Sequence, residues 1–307
     1  MQWIKSLDYF FILRPIVFFP GWTTALAAYA VSGAAQAPAL FPDHPLSLVL
    51  LSTGMLMGCG FIVNQLADTE SDRINKKLFL LSEGFISRRN ARIEAILMAA
   101  GGLAITYYTS STLFLIVISG LVLIPAYSIP PFRLKDHAFR SLLANATMGG
   151  LAFIYGWFIR GPVSSSAVYA LIPYLCYNTA MYLLTTIPDV EGDRKTNKHT
   201  LAVKYGVPAT LRIALGLISL SLIDAVWLRD WIIAVPSAVA LPLIFIAYQK
   251  NTIPRSITAL KYSLFVFALT VSYFFPWYLL IIALFFIITK FYYRKRFNLD
   301  YPNFKGQ

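Results

Sequence analysis

The chain has 307 residues, 58% of them hydrophobic and only 13% charged, with a formal net charge of +12. A soluble domain carries about 25% charged residues, so the composition excludes an ordinary soluble fold and points to an all-α, polytopic membrane bundle. The positive excess falls in short loops between apolar runs, which is how membrane topology is encoded, and not in one tract, which argues against nucleic acid as a partner. Cys59 and Cys176 lie inside apolar runs with no C-x-x-C or histidine neighbour, and read as small core residues.

A bilayer core takes about 20 mostly apolar residues per helix. On that measure the expected spans lie near 10–33, 46–66, 91–108, 111–128, 140–160, 165–187, 207–228, 231–249, 258–275 and 276–293. The first could pass for a signal peptide ahead of "AAQA", but Arg14 and Pro15 interrupt it and many spans follow, so a retained span is expected. Arg73, Lys76, Lys77, Arg88 and Arg89 fall on one side, with Arg133, Lys135, Arg140, Arg194, Lys195, Lys198 and Lys204; the other side has little beyond Arg160 and Arg229. The positive-inside rule places the N-terminus and the large loops in the cytoplasm. Ten spans also bring the basic "RKRF" end inside. The whole chain, 1–307, reads as one transmembrane domain.

The second span ends in "NQLADTESD". Asn64, Asp68 and Asp72 are spaced i, i+4, i+8 and share one helical face, while Glu70 points away. The sixth span is followed by "TTIPDVEGDRKTNKHT", where Asp189 and Asp193 repeat the i, i+4 spacing and Glu191 faces elsewhere. The two clusters lie about 120 residues apart and emerge on the same side. This suggests two pseudo-repeated four-helix units, each delivering a carboxylate pair to a shared central cavity. Mg²⁺ prefers oxygen and is held by one or two carboxylates plus substrate phosphates, so facing pairs suit Mg²⁺ ions around a diphosphate, with nearby Arg and Lys on the remaining oxygens. The plainer alternative is helix-end salt bridges to Arg73 and Arg194.

At these residues the sequence resembles the UbiA superfamily of intramembrane prenyltransferases. "NQLADTESD" matches its N-x-x-x-D-x-x-x-D motif and "DVEGD" its D-x-x-x-D motif; "YSIPPFRLK" (Tyr127 to Lys135) resembles its loop after the fourth span, and "LRP" (Leu13–Pro15) its first helix. The wording of the motifs is closest to the chlorophyll synthase and homogentisate prenyltransferase branch. Where the family reads Arg-Pro before Ser-Gly, this chain has Phe79 and Leu80. The resemblance implies nine helices, against ten from charge. It also implies Mg²⁺-dependent transfer of a prenyl group from an isoprenyl diphosphate to a hydrophobic acceptor (aromatic, quinone precursor, pigment or lipid) within the bilayer. It assigns metal binding and catalysis to Asp68, Asp72, Asp189 and Asp193, with Asn64 also on the metal. Arg73, Lys76, Tyr127, Arg133, Lys135, Lys195 and Lys198 join Asn64 as diphosphate ligands.

Tyr155, Trp157, Tyr174, Tyr177 and Tyr182 are expected to serve packing or lipid contact, and Asn145 and Asn178 interhelical hydrogen bonds. His44, His137 and His199 read as surface residues, and Asp224 as a helix-end residue. The same metal site also suits a membrane terpene cyclase. A secondary transporter would place its acids at the bilayer midplane, and a lipid- or quinone-binding scaffold would need no turnover.

Overall fold

The computed structural model describes residues 2–34, 41–74, 79–159 and 164–303. Among these residues the fold is helical throughout, without a β-strand; one isolated bridge joins His137 to His199. Helices α1 (Gln2–Ser6), α2 (Asp8–Ile12) and α3 (Phe19–Tyr29) replace the single first span expected. Pro15 has no N–H to give, and its ring disfavours helical backbone at Arg14. Arg14 accordingly turns left-handed (φ 56°), and the two halves meet at 53°.

Helix α4 (His44–Ile74) then runs unbroken for 31 residues, well beyond the expected 46–66. Asn64, Asp68 and Asp72 therefore stand on one continuous helix. Gln65, buried on α4, donates to the Ile12 carbonyl at 2.8 Å. That carbonyl lost its helical partner at the Arg14 break, so the side chain supplies what the backbone cannot.

After α5 (Phe79–Ser82) come α6 (Arg88–Thr109), α7 (Ser111–Ser128), α8 (Ala138–Trp157) and α9 (Ser165–Thr186). Two short helices, α10 (Val190–Lys195) and α11 (Leu201–Tyr205), lead into α12 (Val207–Trp227), α13 (Trp231–Lys250), α14 (Ile253–Phe274) and α15 (Pro276–Phe297). Among the described residues seven helices are long and apolar enough to cross a bilayer, or eight with the bent first pair. This marks an integral membrane protein. Helices α6 and α8 have the length but fall short of that test; α6 begins with Arg88, Arg89 and Arg92 and carries Glu94.

The main core joins α3, α8, α9, α12, α13 and α14 around Leu26, Phe153, Tyr174, Tyr177 and Phe267. At Gly156 the α8 backbone meets the Ala25 carbonyl so closely that any Cβ would collide with it. Several buried polar groups pair across helices, since hydrocarbon offers them no water. Tyr174 donates to Asp230 and Tyr177 to the Ser263 carbonyl, both at 2.7 Å, and Tyr155 bonds Ser52 at 2.6 Å. Asn178 donates to Thr24 at 3.1 Å, and Asn145 to Tyr127 at 3.0 Å. These aromatics and amides hold helices together, as expected. A smaller core gathers α2, α4, α6 and α15, and takes in Leu80.

Candidate active site

Three segments converge at one end of the bundle. The first is the C-terminal part of α4, which presents Asn64 and Asp68 while Glu70 stays exposed. The second is the loop after α7. Arg133 adopts a left-handed backbone (φ 36°), and its side chain closes onto Asp136 at 2.6 Å, fixing a tight turn at Leu134–Asp136. That turn drives Lys135 inward until only 6% of it is exposed.

The third segment follows α9 and carries the second acidic pair. Helix α9 stops at Thr186, because Pro188 cannot continue it. Asp189 precedes the separate helix α10 and Asp193 lies within it. At the end of α10 the Lys198 amide donates to the Asp193 carbonyl at 2.9 Å. The chain so turned lays the lysine side chain back over the carboxylate. The His199 amide donates to the Asp136 carbonyl at 2.8 Å, tying this loop to the one carrying Lys135. Both histidines are exposed, and it is their backbones that make the bridge.

Asp68, 8% exposed, is the meeting point. Its Oδ2 lies 2.7 Å from Lys135 Nζ and 3.3 Å from Lys198 Nζ; Arg133 Nη2 stands 3.8 Å from its Oδ1. Lys135 also donates to Asn64 Oδ1 at 2.7 Å, and Ser128 reaches the same oxygen at 3.4 Å. Lys198 Nζ is 3.6 Å from Asp193 Oδ1. The Asp68 and Asp193 oxygens that share this lysine are thus within about 7 Å of each other, the sum of those two distances. Arg14, half-buried at the break before α3, lies over the Phe61 ring at 5.3 Å and acts electrostatically on Asp72.

Burial, reinforced by the Asp68 charge, pushes Asp72 up to about 7. Burial pushes Asp193 up to about 6 against the pull of Lys198. Burial lowers the pKa of Lys135 despite Asp68. It also draws Lys198 down, but Asp68 and Asp193 outweigh it and leave Lys198 above the ordinary lysine value.

Not every expected ligand joins the cluster. Lys195 is 60% exposed and paired at 3.0 Å with Glu191, itself 86% exposed; the i, i+4 spacing on α10 draws it outward. Arg73 is exposed, and Lys76 lies outside the described residues. Tyr127 accepts its bond from Asn145 beside Tyr182. Asp189 is half-buried next to Asp193. Sequence reasoning did not single out Arg14, Ser128 or Asp136 as part of this cluster; the Arg-Pro break was the available signal for the first.

Asp68 Oδ1 is a buried carboxylate oxygen without a hydrogen-bond donor, which suits a hard cation. Among the described residues no three acidic, histidine or cysteine side chains stand close enough to hold a metal alone. The residues present therefore suit a divalent ion only where oxygens from a bound ligand complete its shell.

Fold and site first define a class: an integral membrane helical protein with carboxylates and buried lysines interleaved at one end of its bundle. The UbiA prenyltransferase family profile matches residues 22–256, and the chain belongs to that family. The probable chloroplastic homogentisate phytyltransferase 2 of Oryza sativa subsp. japonica is 29% identical over 211 residues, covering 62% of this chain and 56% of that protein. The digeranylgeranylglyceryl phosphate synthase of Thermococcus sibiricus is 27% identical over 166 residues, covering 54% of this chain and 58% of that one. The chain thus spans a little over half the length of these relatives. A UbiA homolog from Archaeoglobus fulgidus bound to GPP and Mg²⁺ aligns with a TM-score of 0.67 at 25% identity, over 90% of this chain and 99% of that one.

Proposed function

We propose that the protein transfers a prenyl group from an isoprenyl diphosphate to a hydrophobic acceptor in the membrane, with Mg²⁺ as cofactor. The observation that carries this reading is the convergence of Lys135 and Lys198 on Asp68, with Asp193 on the far side of Lys198. Buried ammonium groups interleaved with carboxylates suit a ligand that brings both phosphate oxygens and divalent cations. The Archaeoglobus fulgidus homolog, bound to GPP and Mg²⁺, supports it.

In this reading Asn64, Asp68, Asp72, Asp189 and Asp193 would hold Mg²⁺. When bound, the metal supplies neutralisation of the departing diphosphate. Lys135, Lys198 and Arg133 take phosphate oxygens, with Arg73 at the rim and Tyr127 at the end of α7; Lys195, drawn outward by Glu191, takes none. The allylic C–O bond breaks with its electron pair leaving on the diphosphate, whose charge the lysines stabilise in place. The apolar helices around the site keep water from the resulting cation until the acceptor bonds to it, and the proton the acceptor loses leaves with the diphosphate. Counting α6, α8 and the bent first segment as spans gives ten, the number the charge pattern calls for.

The test is Mg²⁺-dependent diphosphate release by purified protein given prenyl diphosphates of several lengths and a membrane lipid extract. Asp68→Ala and Asp189→Ala each abolish release while the protein still folds; wild-type turnover in both overturns the site. A cyclic hydrocarbon formed without acceptor overturns transfer in favour of cyclisation.

A further inference from the structure

The C-terminal segment after α15 folds back instead of trailing away. Asn298 takes a left-handed backbone (φ 55°), its amide donates to the Arg294 carbonyl at 3.1 Å, and the Leu299 amide donates to the Tyr293 carbonyl at 3.2 Å. This helix-ending turn reverses the chain. Asp300 then pairs with Lys290 at 3.0 Å, Asn303 donates to the Asp300 carbonyl at 2.8 Å, and Lys261 of α14 reaches Asn303 at 3.5 Å. Pro302 is buried. Residues 298–303 thus form a strap between α15 and α14.

Ring contacts tie the strap to α2, three residues before Arg14. Tyr301, 40% exposed, meets Tyr293 edge to face at 4.9 Å between ring centroids. Tyr293 meets Phe11 edge to face at 6.0 Å. Arg14, three residues beyond Phe11, lies over Phe61 of α4, one turn before the Asn64–Asp68 face. Arg14 also acts electrostatically on Asp72, Tyr293 and Tyr301.

We infer that the strap, through Tyr301, seals the Arg14 side of the site against water and so sets how often the allylic cation is captured by water instead of an acceptor. The inference rests on the proposed prenyl chemistry. Its reaction balances as follows: the C–O bond to the diphosphate breaks, water adds to the carbon, and its proton leaves with the diphosphate, giving a prenyl alcohol. Tyr301 is a positioning residue here and makes no bond to substrate.

The experiment gives full-length protein geranylgeranyl diphosphate and Mg²⁺ without acceptor, and measures prenyl alcohol; binding of the same diphosphate is read by thermal shift. Tyr301→Ala, and truncation after Asn298, raise alcohol formation about tenfold, or about 1.4 kcal/mol of barrier. Tyr301→Phe, which keeps the ring, stays at the wild-type rate. Adding Asp68→Ala to Tyr301→Ala removes the gain. If the truncated chain does not fold, Tyr301→Ala alone decides. Wild-type alcohol formation by Tyr301→Ala, with diphosphate still bound, overturns the strap and leaves prenyl transfer standing. Failure of the wild type to bind the diphosphate at all overturns both.

Discussion

Replacing Lys135 with methionine keeps the length of the side chain and removes one buried ammonium. In the folded protein that ammonium makes two short bonds, each 2.7 Å, to Asp68 Oδ2 and Asn64 Oδ1. A hydrogen bond to a charged group contributes about 1.5–3 kcal/mol, and stranding a buried charge costs about 3–5 kcal/mol. Lys198 stands 3.3 Å from the same Asp68 oxygen and Arg133 3.8 Å from the other, so Asp68 is not left alone. The net cost is accordingly about 2–3 kcal/mol. At roughly 2–4 °C per kcal/mol for a chain of this order of size, the thermal midpoint in detergent falls by about 4–12 °C. In the proposed reaction the effect on turnover is larger, because a preorganised cation on a departing diphosphate is worth about a hundredfold or more. Lys195→Met is the control: its pair with Glu191 is exposed on both sides, worth at most about 1 kcal/mol, and diphosphate release stays unchanged. Thermal unfolding and diphosphate release, measured on both variants, separate the two lysines. Wild-type stability and release in Lys135→Met, or an equal loss in Lys195→Met, refutes the reasoning.

Two further outcomes follow from other features. Folded-state values of about 7 for Asp72 and about 6 for Asp193 lie above the unfolded value of about 3.9. The folded chain binds more protons in that window, so without metal its stability falls as pH rises from about 4 to about 7. Loss of those protons frees the carboxylates for metal, so the thermal shift given by Mg²⁺ with a prenyl diphosphate grows between pH 5.5 and 8, about the range of the two folded-state values; a flat profile refutes the assignment. Gly156→Ala forces a methyl group into the Ala25 carbonyl across the α3–α8 contact. It lowers stability by about 1–3 kcal/mol, seen as a lower thermal midpoint, and an unchanged midpoint shows that the contact yields.

The Asp8–Arg296 pair shows what sequence could not convey. Arg296 donates to both Asp8 oxygens at 3.1 Å, and Tyr292 adds a third bond at 2.7 Å. These partners stand 288 and 284 positions apart, and no local pattern links a lone N-terminal aspartate to the end of the last helix. Lys135 and Lys195 make the same point within the site. In sequence both are lysines near an acidic motif, and both are equally plausible phosphate ligands. Only the turn closed by Arg133 and Asp136 buries one, while Glu191 at i+4 geometry draws the other outward.

By itself the sequence determined the membrane class, the approximate positions of the long helices and the shared face of Asn64, Asp68 and Asp72. Those properties follow from apolar length and helical period, which act within a single segment. Tertiary structure decided the rest. It broke the first span at Arg14, set Asp193 on a short helix of its own with Asp189 just before it, and brought Lys135 and Lys198 onto one carboxylate. It also folded the C-terminal segment back through Tyr301. Each of these depends on backbone turns and on partners distant in the chain, whose meeting is settled by packing and by the need to satisfy buried polar groups, not by any local pattern.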